Sequence, residues 1–215
     1  MTEQEWRECV HPKPMLEWLR GRTSDRKVRL FACICARRIV EAINEVCEFG
    51  AASVVALSED LADGRANATE VEQARANNWG IGAIGPVVSA TYAEQATIAA
   101  EPFEAAFGAA GWGADAFGMM ARNNRQSELT TQAAFVRDIF DDHFCSIAFS
   151  PEWHTDTALA LARQMYDSRD FSAMPVLADA LQDAGCDSAD ILGHCRGPNL
   201  HARGCWVVDL VLGKE

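Results

Sequence analysis

Ser24-Asp25-Arg26-Lys27-Val28-Arg29-Leu30-Phe31-Ala32-Cys33-Ile34-Cys35-Ala36-Arg37-Arg38-Ile39-Val40-Glu41-Ala42-Ile43-Asn44-Glu45-Val46-Cys47-Glu48 sets the fold class. Its apolar positions Val28, Phe31, Ala32, Cys35, Ile39, Ala42, Ile43 and Val46 recur at the three-and-four spacing of a buried helical stripe. Ser24 supplies an N-cap oxygen for the first free N–H groups. Gly50 sits just past the end, where a left-handed residue terminates many helices. A long amphipathic helix is therefore expected over 25–48.

Helical pattern continues on both sides. Thr2 and Glu5 fit a capping box that opens a short helix ending near Cys9. Pro12 and Pro14 are expected to break it, leaving Met15, Leu16, Trp18 and Leu19 on a second short helix stopped by Gly21. A helix over 51–62 is stopped by Gly64, and Thr69 with Glu72 reads as a second capping box before 71–77. The span 79–120 is rich in Ala and Gly and shows no clear period. One helix is expected over 115–140, with Leu129, Ala133, Val136, Ile139 and Phe140 on one side. Ser150-Pro151 then combines an N-cap with proline at the first helical position. Helices follow around 155–167, 171–184, 188–195 and 203–212, punctuated by Gly185, Gly197-Pro198 and Gly213. Ser146-Ile147-Ala148-Phe149 is the best strand candidate. The expectation is an all-α protein: a multi-helix bundle over 1–145, containing the Gly/Ala-rich segment 79–120, and a C-terminal helical subdomain over 150–215, packed separately or as one domain. Trp206, Leu177 and Leu181 are expected to pack the C-terminal helices on one another.

Composition excludes several classes. Apolar residues make up 49% of the 215 and charged residues 23%, which is globular rather than disordered. A net charge of −12 disfavours a general polyanion binder. Eight cysteines are too sparse for a disulfide scaffold. The start Met1-Thr2-Glu3-Gln4-Glu5-Trp6-Arg7 lacks a secretory apolar core, and no run suits a spanning helix. A cytoplasmic protein with reduced thiols is expected.

The strongest chemical signal is C-terminal: Cys186, His194, Cys195, His201 and Cys205. Zinc takes thiolate sulfur and imidazole nitrogen in a tetrahedron, and the spacing of Cys195, His201 and Cys205 resembles such a site. Against it, no Cys-x-x-Cys knuckle occurs, and His194 and Cys195 point to different sides of a helix. Buried packing cysteines and surface histidines are the competing interpretation. Arg20, Arg22, Arg26, Lys27, Arg29, Arg37 and Arg38 fall within positions 20–38, where Asp25 is the one acid. Such a face attracts phosphates or an acidic surface, and pairing with carboxylates of this acidic chain is favoured over nucleic acid. Cys33-Ile34-Cys35 suits neither chelation nor a disulfide on a helix. Gly80-Ile81-Gly82-Ala83-Ile84-Gly85 matches the dinucleotide string literally, but no strand precedes it and Pro86 follows. Asp138, Asp141, Asp142 and His143, with His154 and Asp156 as a second set, could bind a cation, although a charged helix end accounts for them more simply.

Several segments carry a resemblance. They are Met1-Thr2-Glu3-Gln4-Glu5-Trp6, Asp25-Arg26-Lys27-Val28-Arg29-Leu30-Phe31-Ala32-Cys33, Arg137-Asp138-Ile139-Phe140, Pro175-Val176-Leu177-Ala178-Asp179-Ala180-Leu181-Gln182-Asp183-Ala184-Gly185-Cys186, Asp190-Ile191-Leu192-Gly193-His194-Cys195-Arg196 and Arg203-Gly204-Cys205-Trp206-Val207-Val208-Asp209. Together they resemble a bacterial family that occurs as many paralogues per genome and has no assigned activity, substrate or cofactor. Such multiplication suits interaction or regulatory modules. With no complete catalytic motif, and with Trp6, Trp18 and Trp153 read as exposed, the expectation is a non-enzymatic module with a protein partner, no membrane and no cofactor. The alternatives are a zinc-binding or thiol-dependent protein using Cys186, His194, Cys195, His201 and Cys205, and nucleic-acid binding through residues 20–38.

Overall fold

Ser24 does cap the defining helix: its hydroxyl accepts the Lys27 N–H at 3.3 Å, and the helix runs Asp25–Asn44. The computed structural model describes residues 1–45, 53–76, 85–120, 124–141, 144 and 149–214. Gly50, Cys47, Cys145, Asp142, His143, the dinucleotide-like string up to Ile84 and residues 146–148 of the strand candidate lie outside them. Among the described residues there is no strand. The helices are α1 (Glu3–Glu8), α2 (Pro12–Leu19), α3 (Asp25–Asn44), α4 (Ser53–Ala62), α5 (Ala68–Ala76), α6 (Pro86–Ala96), α7 (Pro102–Met120), α8 (Asn124–Phe140), α9 (Asp156–Ser168), α10 (Met174–Asp183), α11 (Ala189–Arg196) and α12 (Trp206–Leu212). A short 3-10 turn at Pro151–Trp153 is capped by Ser150. The protein is all-α, built from packed helices. No helix of the described residues is long and apolar enough to cross a membrane.

Local chemistry explains where the helices begin, including three departures from the sequence pattern. The Thr2–Glu5 capping box is present, with both reciprocal bonds made. Pro12 does not break a helix but begins α2, because the first helical position needs no N–H. Asn67, not Thr69, caps α5: its Oδ1 accepts the Thr69 N–H at 2.8 Å, while Glu72 pairs with Arg75. The helical pattern of 115–140 is two helices, α7 and α8. Small residues hid α7, since Ala105, Ala106, Ala109, Ala110, Gly113, Ala114 and Ala116 give weak amphipathic contrast yet are all buried.

The chain divides into two compact units, Met1–Ala133 and Ala134–Glu215. In the first, α3 lies against α4, α6 and α7, and α6 lies against α7. A Cβ at Gly108 would lie 2.8 Å from the Ala96 Cβ, so glycine there permits the close approach of α6 and α7. Val28, Phe31, Ala32, Cys35, Ile39 and Ile43 fill the inner side of α3. In the second unit α9 packs on α10 and α12, α10 on α11, and α11 on α12. Their shared core contains Trp206, Leu177 and Leu181 as expected, with Met165, Met174, Ile191 and Val208. Burying side chains of this size stabilises by roughly 1.5–3 kcal/mol each.

Candidate metal centre

Four side chains of the second unit converge on one point, delivered by separate pieces of backbone. Asp138 is on α8, three residues after Phe135 on a buried side of that helix. His194 is in the last turn of α11, which Ser188 caps through the Ile191 N–H. His201 lies in the connection to α12, and Cys205 is the residue before α12 begins. A turn closes that connection, with the Cys205 N–H donating to the Ala202 carbonyl at 2.9 Å.

Asp138 organises the group. Its Oδ2 accepts the Ala202 N–H at 2.9 Å, and its Oδ1 lies 2.7 Å from His201 Nδ1 and 3.2 Å from His194 Nε2. Cys205 Sγ lies 3.2 Å from His194 Nε2 and 3.9 Å from His201 Nδ1. One ligand atom from each residue falls within 4.8 Å of the other three. The Asp138 side chain is 1% exposed and those of His194 and His201 are 9% and 6%, so water has little access. These four residues can hold a metal ion.

Electrostatics separates the donors. Burial opposes ionisation of Asp138, but hydrogen bonds from His194 and His201 overcome it and hold the carboxyl below its usual range. Burial first, and then the Asp138 charge, push the Cys205 thiol well above its usual value. A thiol so strongly protonated is a poor nucleophile without a cation beside it. The directions of approach matter as much. A proton relay joins its two partners through opposite nitrogens of one imidazole, whereas here the carboxylate and thiol both face Nε2 of His194 and Nδ1 of His201. That is convergence on a point, as ligands require.

The sequence cluster is thus only partly assembled. His194, His201 and Cys205 come together, whereas Cys186 and Cys195 are outside the group and belong to the apolar core of the unit. Cys195 follows His194 directly and so leaves α11 on another side; burial pushes its thiol up to about 12. None of Cys9, Cys33, Cys35, Cys186, Cys195 and Cys205 is in a disulfide. Asp138 joins residues far along the chain rather than its neighbours. Of the set expected around it, Asp142 and His143 lie outside the described residues, His154 packs on Phe149 with ring centroids 4.9 Å apart, and Asp156 is in the first turn of α9. The available signal for Asp138 was a carboxylate on a buried helix side, which demands a partner.

No protein family, curated protein or solved structure matches this chain. Its functional interpretation rests on its own residues.

The basic stretch is absorbed within the first unit. Arg26 pairs with Asp63, Arg37 with Glu59 and Arg38 with Glu128, at 3.0, 2.9 and 2.9 Å. Arg29 caps the end of α6, donating to the Thr97 and Ala99 carbonyls at 2.7 and 2.9 Å, which suits a cation at a helix C-terminus. Arg20 stacks over Phe103 and Arg22 over Trp18, and Lys27 is buried. The tryptophans read as exposed need correction. Trp6 is fully buried and sits 5.5 Å from Trp18, which is half-buried, and Trp153 packs on the apolar core of the second unit. Among the described residues, Tyr92 and Trp112 form an exposed aromatic pair, centroids 5.0 Å apart.

Proposed function

We propose that this chain is a zinc-binding protein whose C-terminal unit is held together by one structural ion on Asp138, His194, His201 and Cys205. The observation that carries this reading is the mutual approach of the four ligand atoms within 4.8 Å. A tetrahedron with zinc bonds of about 2.0–2.3 Å has edges of roughly 3.3–3.7 Å. Four of the six separations are 2.7, 3.2, 3.2 and 3.9 Å and all six are within 4.8 Å, a spread that brackets that edge length. One sulfur and two imidazole nitrogens favour zinc over magnesium or calcium, which take oxygen shells. Carboxylate and thiolate together neutralise a dication, and the imidazoles complete the shell.

Four protein donors in a buried site leave no coordination position for a substrate, so the role is structural. The ion would tie the end of α8 to α11, to the connection after it and to the start of α12. Binding replaces the thiol proton, so uptake releases protons and weakens in acid. Elemental analysis of untagged protein tests the reading. About one equivalent of zinc is expected, falling below about a tenth in His201→Ala and Cys205→Ser. Wild-type protein that neither retains nor takes up zinc after dialysis against it contradicts the reading.

A second reading, a protein-interaction module, draws on the exposed Tyr92–Trp112 pair and on Met119, which is 56% exposed. Large exposed apolar side chains in proximity suit a partner surface. Trp112→Ala is expected to abolish capture of a partner protein while leaving the fold intact; unchanged capture contradicts this second reading.

A further inference from the structure

Trp206 begins α12 directly after the ligand Cys205, with its side chain buried. Its indole Nε1 lies 3.1 Å from His194 Nδ1, and the rings are 5.0 Å apart. An indole N–H can only donate, so Nδ1 of His194 must accept with its lone pair. A neutral imidazole carries one N–H, and that proton is therefore on Nε2. There it faces Asp138 Oδ1 and Cys205 Sγ, each at 3.2 Å.

An imidazole ligates a metal through a lone pair. His194 presents to the centre the nitrogen that carries its proton, and turns the lone-pair nitrogen toward Trp206. Ligation as a neutral imidazole needs the proton on Nδ1, where two N–H groups would then meet head to head. Metal-binding histidines ordinarily donate their outer N–H to an acceptor such as a carboxylate or carbonyl. Here the outer nitrogen meets a donor.

We propose that Trp206 is a lock on the metal centre: its indole holds His194 in the tautomer that cannot ligate, and uptake of the ion requires the indole to leave Nδ1. Cys205 and Trp206 are consecutive, so loading the centre and releasing the lock both act on the start of α12. Trp206 is a positioning residue, acting on the ion through His194. This proposal deepens the zinc reading and rests on it.

Trp206→Phe keeps the aromatic packing and removes the N–H. Zinc affinity, measured on the full chain by competition with a chromophoric chelator, is expected to rise roughly two- to tenfold, the worth of one hydrogen bond as an equilibrium ratio. Long-range proton–nitrogen NMR of the wild-type imidazoles provides a readout that needs no variant. His194 is expected as the Nε2–H tautomer without metal and as Nδ1–H with one equivalent of zinc, with the Trp206 indole signal shifting in step. Equal or weaker binding by folded Trp206→Phe, or an Nδ1–H tautomer in the metal-free protein, overturns the lock while leaving the zinc centre standing. Failure of both wild type and Trp206→Phe to bind zinc, or undiminished binding by Cys205→Ser, overturns the centre and the lock together. Tighter binding by Trp206→Phe together with the tautomer switch establishes both.

Discussion

Both units bury carboxylates, and they satisfy them differently. In the first, Asp63, Glu59 and Glu128 have side chains 0%, 5% and 2% exposed, and each meets an arginine of α3. Each of these three carboxylates is matched by a permanent opposite charge. In the second, Asp138 is held by two imidazoles and a backbone N–H, none permanently charged. A thiol faces the same point. A buried anion ringed by imidazoles and a thiol is suited to a divalent cation, which those groups can ligate as well, whereas one matched by a guanidinium is not. The basic stretch and the Cys/His cluster, which looked like two rival sites in sequence, are two solutions to one electrostatic problem.

The largest effect expected from this contrast is zinc stabilisation of the second unit. Free zinc at about a thousand times its dissociation constant should add about 4 kcal/mol, seen as slower amide exchange in α9 to α12 than in chelator-treated protein. Protection appearing equally in α3 to α7 would break the comparison. Next in size, Arg38→Ala leaves Glu128 buried and unmatched. It should cost about 3 kcal/mol in urea unfolding, at the low end for a broken buried pair because the arginine is partly exposed. Adding Glu128→Gln should recover part of the loss; no recovery would mean that packing, not charge, sets the cost.

Alkaline pH gives a smaller and more selective test. Burial, ahead of every other influence, raises the thiol of Cys33 to about 12 and that of Cys205 well above 9.0. A raised folded value means that the stability contribution is complete below the unfolded value of 9.0 and is lost as pH rises above it. The loss is about 1.4 kcal/mol per thiol per pH unit until the folded value is reached. Zinc should remove the Cys205 share, since the ligand is already a thiolate, and leave the Cys33 share untouched. An alkaline loss unaffected by zinc would place Cys205 outside the centre. The smallest effect is a control: Arg7→Ala breaks the exposed pair with Glu3 and should change stability by no more than about 0.5 kcal/mol.

What the sequence disclosed follows from the range over which its signals act. Ser24, the Thr2–Glu5 box and the α3 stripe from Val28 to Ile43 act within a few residues and were legible; Val46 lies outside the described residues. The small-residue helix α7 was not, because alanine and glycine carry little amphipathic contrast and the packing they permit depends on what approaches them. His194, His201 and Cys205 are close in sequence and were legible as candidates. Asp138 stands 63 residues from His201, and nothing local announces that pairing. Cys186 and Cys195 were grouped with them by proximity alone, though they face the core. The Trp206 contact was hidden for a different reason, since it depends on which imidazole nitrogen faces the indole.

Zinc-edge X-ray absorption on the loaded protein tests the central claim most directly. The account predicts one sulfur at about 2.3 Å and three nitrogen or oxygen neighbours at about 2.0–2.1 Å, with the sulfur lost in Cys205→Ser. A six-coordinate shell of oxygen and nitrogen without sulfur would contradict it.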